Sequence, residues 1–263
     1  MVSRLSVLLL LLAPLLLAAQ SAPPDASGSA NIAAQSSADM VAPPWTRSIV
    51  CPVLYTHEVV SQVVLRRFLA GLLGAGYRPT TLASVDAAMS GVADTPPGCV
   101  LLTFDDALLS QYQNALPVLT DVGVPAVFFV LPGFADGVHR YMGIRELQIL
   151  AQAGFEIEAH TCNHPNLPRL ARLNLNAFFA ELSDCKRLLE GVIGAPVNYV
   201  AYPSGSYDAT VLDAVARFGY RGAFSTRQSA VLNANSPFTL PRIRYDPSEA
   251  PSTVLRRIHA AGG

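Results

Sequence analysis

The chain has no excess of charge of either sign, because its 18 Lys and Arg nearly balance its 19 Asp and Glu, for a formal net charge of −1 at pH 7. Without a basic surplus it lacks the polybasic surface that binds nucleic acid or anionic lipid. We therefore expect no nucleic-acid partner. A neutral substrate such as a glycan is compatible with this balance, although the balance does not itself indicate one.

The chain also lacks an apolar run near its N-terminus that is long enough for a membrane anchor. The run from Leu5 through Ala19 is interrupted by Ser6 and Pro14, and a membrane-spanning helix needs roughly 20 apolar residues. One Arg before the run and small residues after it are typical of a secretory signal peptide, which we place at residues 1–21. No cysteine lies near the expected cleavage point, so the sequence has no lipoprotein signal. We expect export to the periplasm, cell surface or medium, with no integral span after cleavage; an uncleaved anchor is the alternative.

Cysteines are few. The chain has 4 of them, and four cysteines in an exported protein allow three pairings. Cys51 and Cys99 precede His57 and Asp105 by the same number of residues. If His57 and Asp105 end neighbouring strands at one level, the two cysteines also share a level and could form a disulfide. Two separate buried thiols are equally compatible with the sequence.

The remaining chain indicates a single α/β domain. Residues 22–47 are rich in Ala, Ser and Pro, lack a periodic apolar pattern and are predicted to be a flexible linker. Residues 48–263, about 215 in all, fit one domain. Within it, short apolar runs alternate with segments of helical periodicity. The predicted strands are 49–55, 100–104, 126–131, 155–159, 198–202, 222–225 and 240–244. The predicted helices are 63–73, 110–120, 144–153, 174–190 and 209–218.

This alternation predicts parallel strands with right-handed crossovers. Seven such strands favour a closed or nearly closed (β/α) barrel over an open sheet. In barrels of this kind the chemistry lies at the carboxyl ends of the strands. The residues that we identify as functional candidates all follow predicted strands.

The strongest candidates are two pairs of metal-binding side chains. Asp105 and Asp106 follow a largely apolar strand that contains Val-Leu-Leu, and His160 and His164 follow another predicted strand. One Asp and two His form a three-ligand site of the zinc type with a position open for water, and the second Asp could act as a base beside that water. Each pair also has a simpler interpretation: the aspartates could cap a helix, and an HxxxH spacing occurs by chance on surface helices.

The other three histidines differ in their positions. His57 ends the first predicted strand and could donate the proton that a leaving amine needs. A hydrogen-bonded surface histidine is the alternative. His139 and His259 lie in a loop and in a terminal helix-like segment, and we expect both to be structural or exposed.

Two later segments add weaker candidates. The turn Ala-Tyr-Pro-Ser-Gly at 201–205 follows a strand and could direct a backbone N–H, at Ser204, towards a developing oxyanion. Arg242 and Arg244 end the last strand, and one of them could orient a catalytic carboxylate. An ordinary turn and ordinary surface arginines are the alternatives.

Together these motifs resemble the polysaccharide deacetylases with a NodB homology domain, carbohydrate esterase family 4. Thr-Phe-Asp-Asp at 103–106 is similar to the first motif of that family, and His-Thr-Cys-Asn-His-Pro at 160–165 to the second. The turn at 201–205 matches the third motif loosely. The resemblance extends from about Val50 to Tyr245 and implies a distorted (β/α)7 barrel.

The departures from the family pattern point to one of its branches. Ala201 stands where the family usually has Arg, Ser204 where it has Tyr, and Ala107 where it has Gly. The last strand has no histidine, whereas His57 lies on the first. This rearranged order, with Ala-Tyr-Pro and a terminal Pro-Arg-Ile, resembles the branch that de-N-acetylates poly-β-1,6-N-acetylglucosamine.

The resemblance implies a role for each candidate. The implied catalytic residues are Asp105 as base, His57 as general acid, Ser204 as backbone oxyanion donor and Arg242 as the residue that orients the base. The implied metal ligands are Asp106, His160 and His164, and the implied substrate contacts are Tyr202, Pro203 and Tyr245. Zn²⁺ is the expected metal, with Co²⁺, Ni²⁺ or Fe²⁺ as alternatives.

The implied activity is removal of N-acetyl groups from an N-acetylglucosamine polymer by a monomeric enzyme. Alternatives are a deacetylase of chitin oligomers, peptidoglycan or an O-acetylated glycan. A glycan-binding module that has lost turnover is a further alternative of a different class.

Overall fold

The computed structural model describes residues 45–135 and 140–263. The predicted signal peptide, residues 22–44 of the predicted linker and His139 lie outside these residues. The last three residues of the predicted linker belong to the domain: Trp45 is 8% exposed, and its Nε1 donates a 2.9 Å hydrogen bond to Asp86. The ordered domain thus includes residues before position 48, because the indole of Trp45 packs against the helix that carries Asp86.

The described residues form short strands that alternate with helices. The strands are β1 (Ile49–Val50), β2 (Val53–Thr56), β3 (Arg78–Pro79), β4 (Cys99–Asp105), β5 (Val127–Val130), β6 (Glu156–Ala159), β7 (Tyr199–Ala201), β8 (Gly222–Phe224), β9 (Val231–Leu232) and β10 (Ile243–Arg244). The helices are α1 (Gln62–Gly74), α2 (Leu82–Met89), α3 (Leu116–Val122), α4 (Ile144–Gln152), α5 (Leu167–Leu173), α6 (Leu175–Ile193), α7 (Ala209–Arg217) and α8 (Pro251–Ala260). Among the described helices, none has the length and apolar character needed to cross a membrane.

The main sheet confirms the predicted barrel type. Its strands run in the order β10-β2-β4-β5-β6-β7-β8, and every neighbouring pair is parallel. At the other edge of the sheet, Phe224 on β8 forms a parallel bridge with Leu240, which lies shortly before β10. The sheet therefore curls until its two edges are linked through one segment. β3 pairs in parallel with the first two residues of β4, and β1 and β9 form a separate antiparallel pair.

Two predicted strands are interrupted or cut back at a proline. The predicted strand 49–55 is divided at Pro52 into β1 and β2. The predicted strand 240–244 is reduced to β10, after Pro241. Proline has no N–H for a sheet ladder, so regular pairing stops there. The sequence also missed α2 and α5, and its predicted helix 110–120 is a π-helical turn, Gln111–Ala115, followed by α3.

The register of β2 against β4 brings the predicted site residues to one level. Val53 lies opposite Leu101, and the pairing continues to Thr56 opposite Phe104, the residues before His57 and Asp105. Cys51 and Cys99, which share this register, form a disulfide with a Cα–Cα distance of 5.0 Å. The sequence left open whether Cys51 and Cys99 are bonded to each other or are separate thiols, and the structure shows that they are bonded. The second disulfide joins Cys162 to Cys185, so none of the four cysteines is free.

One buried carboxyl group in this sheet predicts a pH-dependent stability. Glu158 on β6 accepts backbone N–H bonds from Asn198 at 2.8 Å and from Tyr199 at 2.7 Å. Burial raises the pKa of Glu158 to about 8 from an ordinary value of 4.5, although the two hydrogen bonds act in the opposite direction. The folded chain thus holds a proton that the unfolded chain has released, and its stability falls as pH rises between these two values.

We expect Glu158→Gln to flatten the pH dependence of the unfolding free energy between pH 4.5 and 8, because the amide keeps an acceptor oxygen but cannot ionise. Urea denaturation at several pH values measures this slope. Asp184→Asn removes an exposed carboxylate and should leave the slope unchanged. A Glu158→Gln slope equal to that of the wild type contradicts the prediction.

Candidate active site

The predicted site residues meet at the carboxyl ends of the parallel strands. Asp105 is the last residue of β4, and His57 and His160 follow directly after β2 and β6. Ser204 lies in the turn after β7. Arg242 differs from the prediction that it ends the last strand, because it lies just before β10, at the amino end of that strand, and its long side chain reaches Asp105 from there. Parallel strands bring their carboxyl ends to one face of a barrel, so residues far apart in sequence become neighbours there.

Asp106, His160 and His164 converge on one point. The Oδ1 atom of Asp106 lies 3.5 Å from Nε2 of His160 and 3.8 Å from Nε2 of His164. One ligand atom from each residue lies within 4.8 Å of the others. Asp106 Oδ1 is buried without a hydrogen-bond partner, which costs free energy unless another group binds it. These donors therefore fit a divalent metal of the zinc type.

The protonation of His160 suits a metal ligand. Its Nδ1 lies 2.7 Å from the carbonyl oxygen of Ala201, and a carbonyl only accepts hydrogen bonds, so Nδ1 carries the proton. Nε2 then directs a lone pair towards Asp106. Burial lowers the pKa of His160, although Asp105 and Asp106 act in the opposite direction. A neutral imidazole whose second nitrogen is fixed by a carbonyl is the usual state of a metal-binding histidine.

The backbone around this point is in an uncommon conformation. In the described part of the chain, five residues other than glycine have positive φ angles: Asp106 (75°), Ala107 (53°), Thr161 (67°), His164 (55°) and Ser204 (54°). All five lie in the turns that follow β4, β6 and β7. Such conformations cost about 1–3 kcal/mol each and persist where the surroundings fix them, often at functional sites. Ala107, where the related family usually has Gly, is one of them.

Asp105 is held as an ionised carboxylate by Arg242. Its Oδ1 accepts a 2.7 Å hydrogen bond from Nη1 of Arg242, and both side chains are at most 2% exposed. Burial alone would raise the pKa of Asp105, but the charge and hydrogen bond of Arg242 outweigh it, and the pKa lies below its ordinary value. The guanidinium carbon of Arg242 lies 4.5 Å from the ring centroid of Tyr55, and its Nε donates to Ser225.

His57 lies within the same cluster. Its half-buried ring meets that of Tyr55 edge to face, with the centroids 5.9 Å apart. It borders two adjoining cavities, one of about 180 Å³ and one of about 490 Å³. The smaller is lined by Tyr55, His57, Asp105, His160, Tyr202, Ser204, Thr226 and Arg242. The position of His57 is therefore compatible with its predicted role, which remains a prediction. His259, on α8, is exposed.

Gln111 joins the chain at the ends of β2 and β4, and no pattern in the sequence indicated this role. Its Nε2 donates 2.6 Å hydrogen bonds to the backbone carbonyls of both residues. Gln111 is fully buried and begins the π-helical turn. π-Helical turns are rare and frequently lie at functional sites. The side chain thus fixes the separation of the two strand ends.

The predicted substrate contacts are largely buried. Tyr202 is inaccessible and its hydroxyl donates to Phe238. Tyr245 is 1% exposed and stacks on Phe68 with the ring centroids 4.6 Å apart. Tyr202 lines the smaller cavity and Tyr245 the larger, whereas Pro203 is buried in the turn after β7 and lines neither. Their role as substrate contacts stays a prediction.

Ser204 has an exposed side chain and a left-handed backbone conformation. The next N–H groups, of Gly205 and Ser206, donate back to Tyr202 and Pro203. The N–H of Ser204 has no such partner among the described residues. A Cβ at Gly205 would lie 2.1 Å from Oγ1 of Thr226, so glycine is needed where the turn passes this side chain. The turn thus leaves one donor free, as the predicted role requires.

A sequence model of the polysaccharide deacetylases matches residues 92–223, half of the chain and most of the barrel. The chain belongs to the polysaccharide deacetylase family. Members are hydrolases that act on the amide bonds of acetylated polysaccharides, and the predicted enzyme class is thereby confirmed. The matched segment contains Asp105, Asp106, His160 and His164 but begins after His57.

Two relatives extend the similarity. YxkH of Bacillus subtilis (strain 168), named as a candidate polysaccharide deacetylase, is 29% identical over 205 residues, which cover 74% of this chain and 71% of YxkH. The poly-β-1,6-N-acetyl-D-glucosamine N-deacetylase of Staphylococcus aureus (strain MRSA252) is 26% identical over 158 residues, 56% of this chain. The match spans about half, 54%, of the length of the S. aureus enzyme.

Solved structures share the fold. The Streptococcus pyogenes deacetylase PplD, in complex with acetate, superposes with a TM-score of 0.72 at 25% identity, covering 81% of this chain and 99% of PplD. IcaB from Ammonifex degensii superposes with a TM-score of 0.69 at 24% identity, covering 79% of this chain and 96% of IcaB. The barrel of this chain is therefore that of the NodB homology fold.

The geometry predicts different effects for the two neighbouring aspartates. Replacing His160 or His164 by Ala, or Asp106 by Asn, should abolish or strongly weaken stoichiometric Zn²⁺ binding, because each replacement removes one of three ligands. Asp105→Asn is the matched control and should retain the metal, because its carboxylate bonds to Arg242 rather than to the ligand cluster. Elemental analysis after reconstitution measures this. A metal-free wild type, or an Asp106→Asn variant that is fully loaded, contradicts the assignment.

Proposed function

We propose that this protein is an exported, metal-dependent N-deacetylase that acts on a poly-β-1,6-N-acetylglucosamine-like polysaccharide. The observation that carries the proposal is the position of the Asp106–His160–His164 cluster beside the Asp105 carboxylate, which Arg242 keeps ionised. One set of residues can hold a metal and the other can accept a proton. An amide hydrolase needs both.

Each side chain has a distinct part in the proposed reaction. A Zn²⁺ ion held by Asp106, His160 and His164 would supply Lewis-acid polarisation and lower the pKa of water to about 7; Co²⁺, Ni²⁺ and Fe²⁺ suit the same donors. Asp105 accepts the proton of the water that attacks the acetamide carbon. Arg242 binds one oxygen of this carboxylate and leaves the other for the proton.

Two further groups complete the reaction. The N–H of Ser204 donates a hydrogen bond to the oxygen of the acetyl group as it gains negative charge. His57 protonates the nitrogen that leaves, and the products are acetate and a glucosamine unit. Tyr202 and Tyr245 line the two cavities in which the sugar would lie. Gln111 keeps the His57 and Asp105 strand ends together, so proton acceptor and proton donor lie on a fixed frame.

The substrate and the location rest on separate support. The S. aureus relative is named for de-N-acetylation of poly-β-1,6-N-acetyl-D-glucosamine. In this chain the candidate acid, His57, follows β2, whereas the last strand, β10, carries no histidine. This order resembles that of the branch that de-N-acetylates poly-β-1,6-N-acetylglucosamine. Two disulfides support an oxidising compartment, in keeping with the predicted signal peptide. We propose that the enzyme works as a monomer outside the cytoplasm.

Acetate release from a panel of glycans tests the substrate. We expect the metal-loaded enzyme to release acetate from poly-β-1,6-N-acetylglucosamine oligomers at a higher kcat/KM than from chitin oligomers, peptidoglycan fragments or O-acetylated glycans. Asp105→Asn, which keeps the ligands, should lose most of this activity. Preference for another glycan overturns the substrate assignment, and metal binding without acetate release from any glycan indicates a binding module instead.

The acid role of His57 has its own test. General acid catalysis contributes about 10²–10⁴-fold, so His57→Ala should lower kcat by that factor while the metal content stays unchanged. His259→Ala, which removes an exposed histidine on α8, is the control and should keep wild-type activity. If the loss follows His259 instead, or if His57→Ala retains full kcat, the proton comes from elsewhere.

A further inference from the structure

The loop between His160 and His164 is strained, so other contacts must hold it. Thr161 and His164 have φ angles of 67° and 55°, a backbone conformation that is unfavourable for residues other than glycine. Two strained residues within one five-residue loop persist only where several contacts fix the backbone. The structure provides these contacts from α6, which lies outside the barrel.

Glu181 on α6 provides most of these contacts. Its Oε2 accepts backbone N–H bonds from Cys162 at 2.8 Å and Asn163 at 2.9 Å. Its Oε1 accepts a 2.7 Å bond from the side-chain amide of Asn163. Glu181 is 8% exposed, so this carboxylate is withdrawn from water and satisfied by the loop. Hydrogen bonds to an ionised acceptor are about twice as strong as neutral ones.

A covalent tether reinforces the same connection. Cys162, in the middle of the loop, forms its disulfide with Cys185, one helical turn after Glu181 on α6. On the opposite side, the N–H of Gly133 donates to the carbonyl of Cys162 at 3.1 Å. A Cβ at Gly133 would lie 2.6 Å from that carbonyl oxygen. The loop is thus enclosed between α6 and the segment after β5.

The two histidines depend on this enclosure to different degrees. His160 is anchored by the sheet, because its N–H donates to Val130 and its Nδ1 pairs with the carbonyl of Ala201. The backbone N–H of His164 bonds only within the loop, to Oγ1 of Thr161 at 3.1 Å. His164 therefore takes its position from the loop rather than from a strand.

We propose that Glu181 is a positioning residue for the metal ligand His164, and that the Cys162–Cys185 disulfide is a second tether for the same loop. This inference rests on the proposed metal site. Glu181 does not touch the metal; it fixes the backbone from which His164 projects. Groups that orient metal ligands typically contribute 10- to 100-fold to metal affinity.

The test measures the Zn²⁺ dissociation constant by chelator competition, together with the melting temperature of the metal-free protein. Glu181→Ala should raise the dissociation constant by about 10- to 100-fold. Glu181→Gln should restore most of the affinity, because its amide oxygen can still accept both N–H bonds and the Asn163 amide can rotate to match. Glu190→Ala is the matched control: this carboxylate, also on α6, accepts a backbone N–H from Val197 at 3.0 Å, away from the loop.

A second set of variants tests the tether. The double change Cys162→Ser and Cys185→Ser should weaken Zn²⁺ binding less than Glu181→Ala does. Combined with Glu181→Ala, its effect should exceed the product of the separate effects, because either connection partly substitutes for the other. Serine is preferred to reduction, because free thiols beside Glu181 would offer ligand atoms within 4.8 Å of one another. Cys51→Ser with Cys99→Ser is the disulfide control and should leave the affinity unchanged.

The outcomes separate this inference from the proposed function. A wild type that binds no Zn²⁺ overturns both. A wild type that binds Zn²⁺, with Glu181→Ala binding as tightly or Glu190→Ala weakening binding equally, overturns the positioning role alone. If Glu181→Ala does not fold, Glu181→Gln and the serine variants decide: affinity that follows only the melting temperature of each variant rejects the positioning role.

Discussion

The buried ion pair between Arg242 and Asp105 is the interaction on which the site depends. Arg242 precedes the edge strand β10, and Asp105 ends β4, two strands away. Both are withdrawn from solvent, and leaving either charge unpaired in such a place costs about 3–5 kcal/mol. The pair therefore has two effects. It connects the segment before β10 to the end of β4, and it keeps the Asp105 carboxylate ionised where burial alone would favour the protonated form.

A charge in this interior is tolerable because its surroundings replace water. The guanidinium of Arg242 lies over the faces of Tyr55 and Phe129, and its Nε donates to a backbone carbonyl. Aromatic faces attract a cation electrostatically, and they do so most strongly where the cation is shielded from water. The same ring of Tyr55 meets His57 at its edge. The arginine thus couples the environments of the candidate base and the candidate acid.

The sequence predicted those parts of the site that depend on short motifs of neighbouring residues. Adjacent aspartates after an apolar strand and two histidines after another are local signals. The equal spacings to Cys51 and Cys99 indicated only that the cysteines share a level if His57 and Asp105 do, and the observed register of β2 against β4 meets that condition. The barrel followed from alternating strand and helix patterns. These predictions depend on backbone regularity, which the sequence expresses directly.

The supporting residues could not be predicted in this way. Gln111 and Glu181 are ordinary polar residues within helical patterns, where a solvent-facing position is the usual expectation. Their function appears only when the barrel brings the ends of β2 and β4, or α6 and the His160–His164 loop, together. Likewise, a pattern does not reveal how deeply Tyr202 and Tyr245 are buried, since both could equally have lined an open cleft.

The two halves of the site are supported by different layers of the fold. Asp105 and His57 are fixed by the sheet and by Gln111, which bonds directly to the backbone at both strand ends. His164 is fixed by a strained loop that the outer helix α6 holds. The contacts of α6 reach the His160–His164 loop, whereas the Asp105–Arg242 pair bonds within the barrel. In the proposed reaction, metal affinity therefore depends on the contacts of α6 and proton transfer on those of the sheet, although Asp105 and His160 line the same cavity.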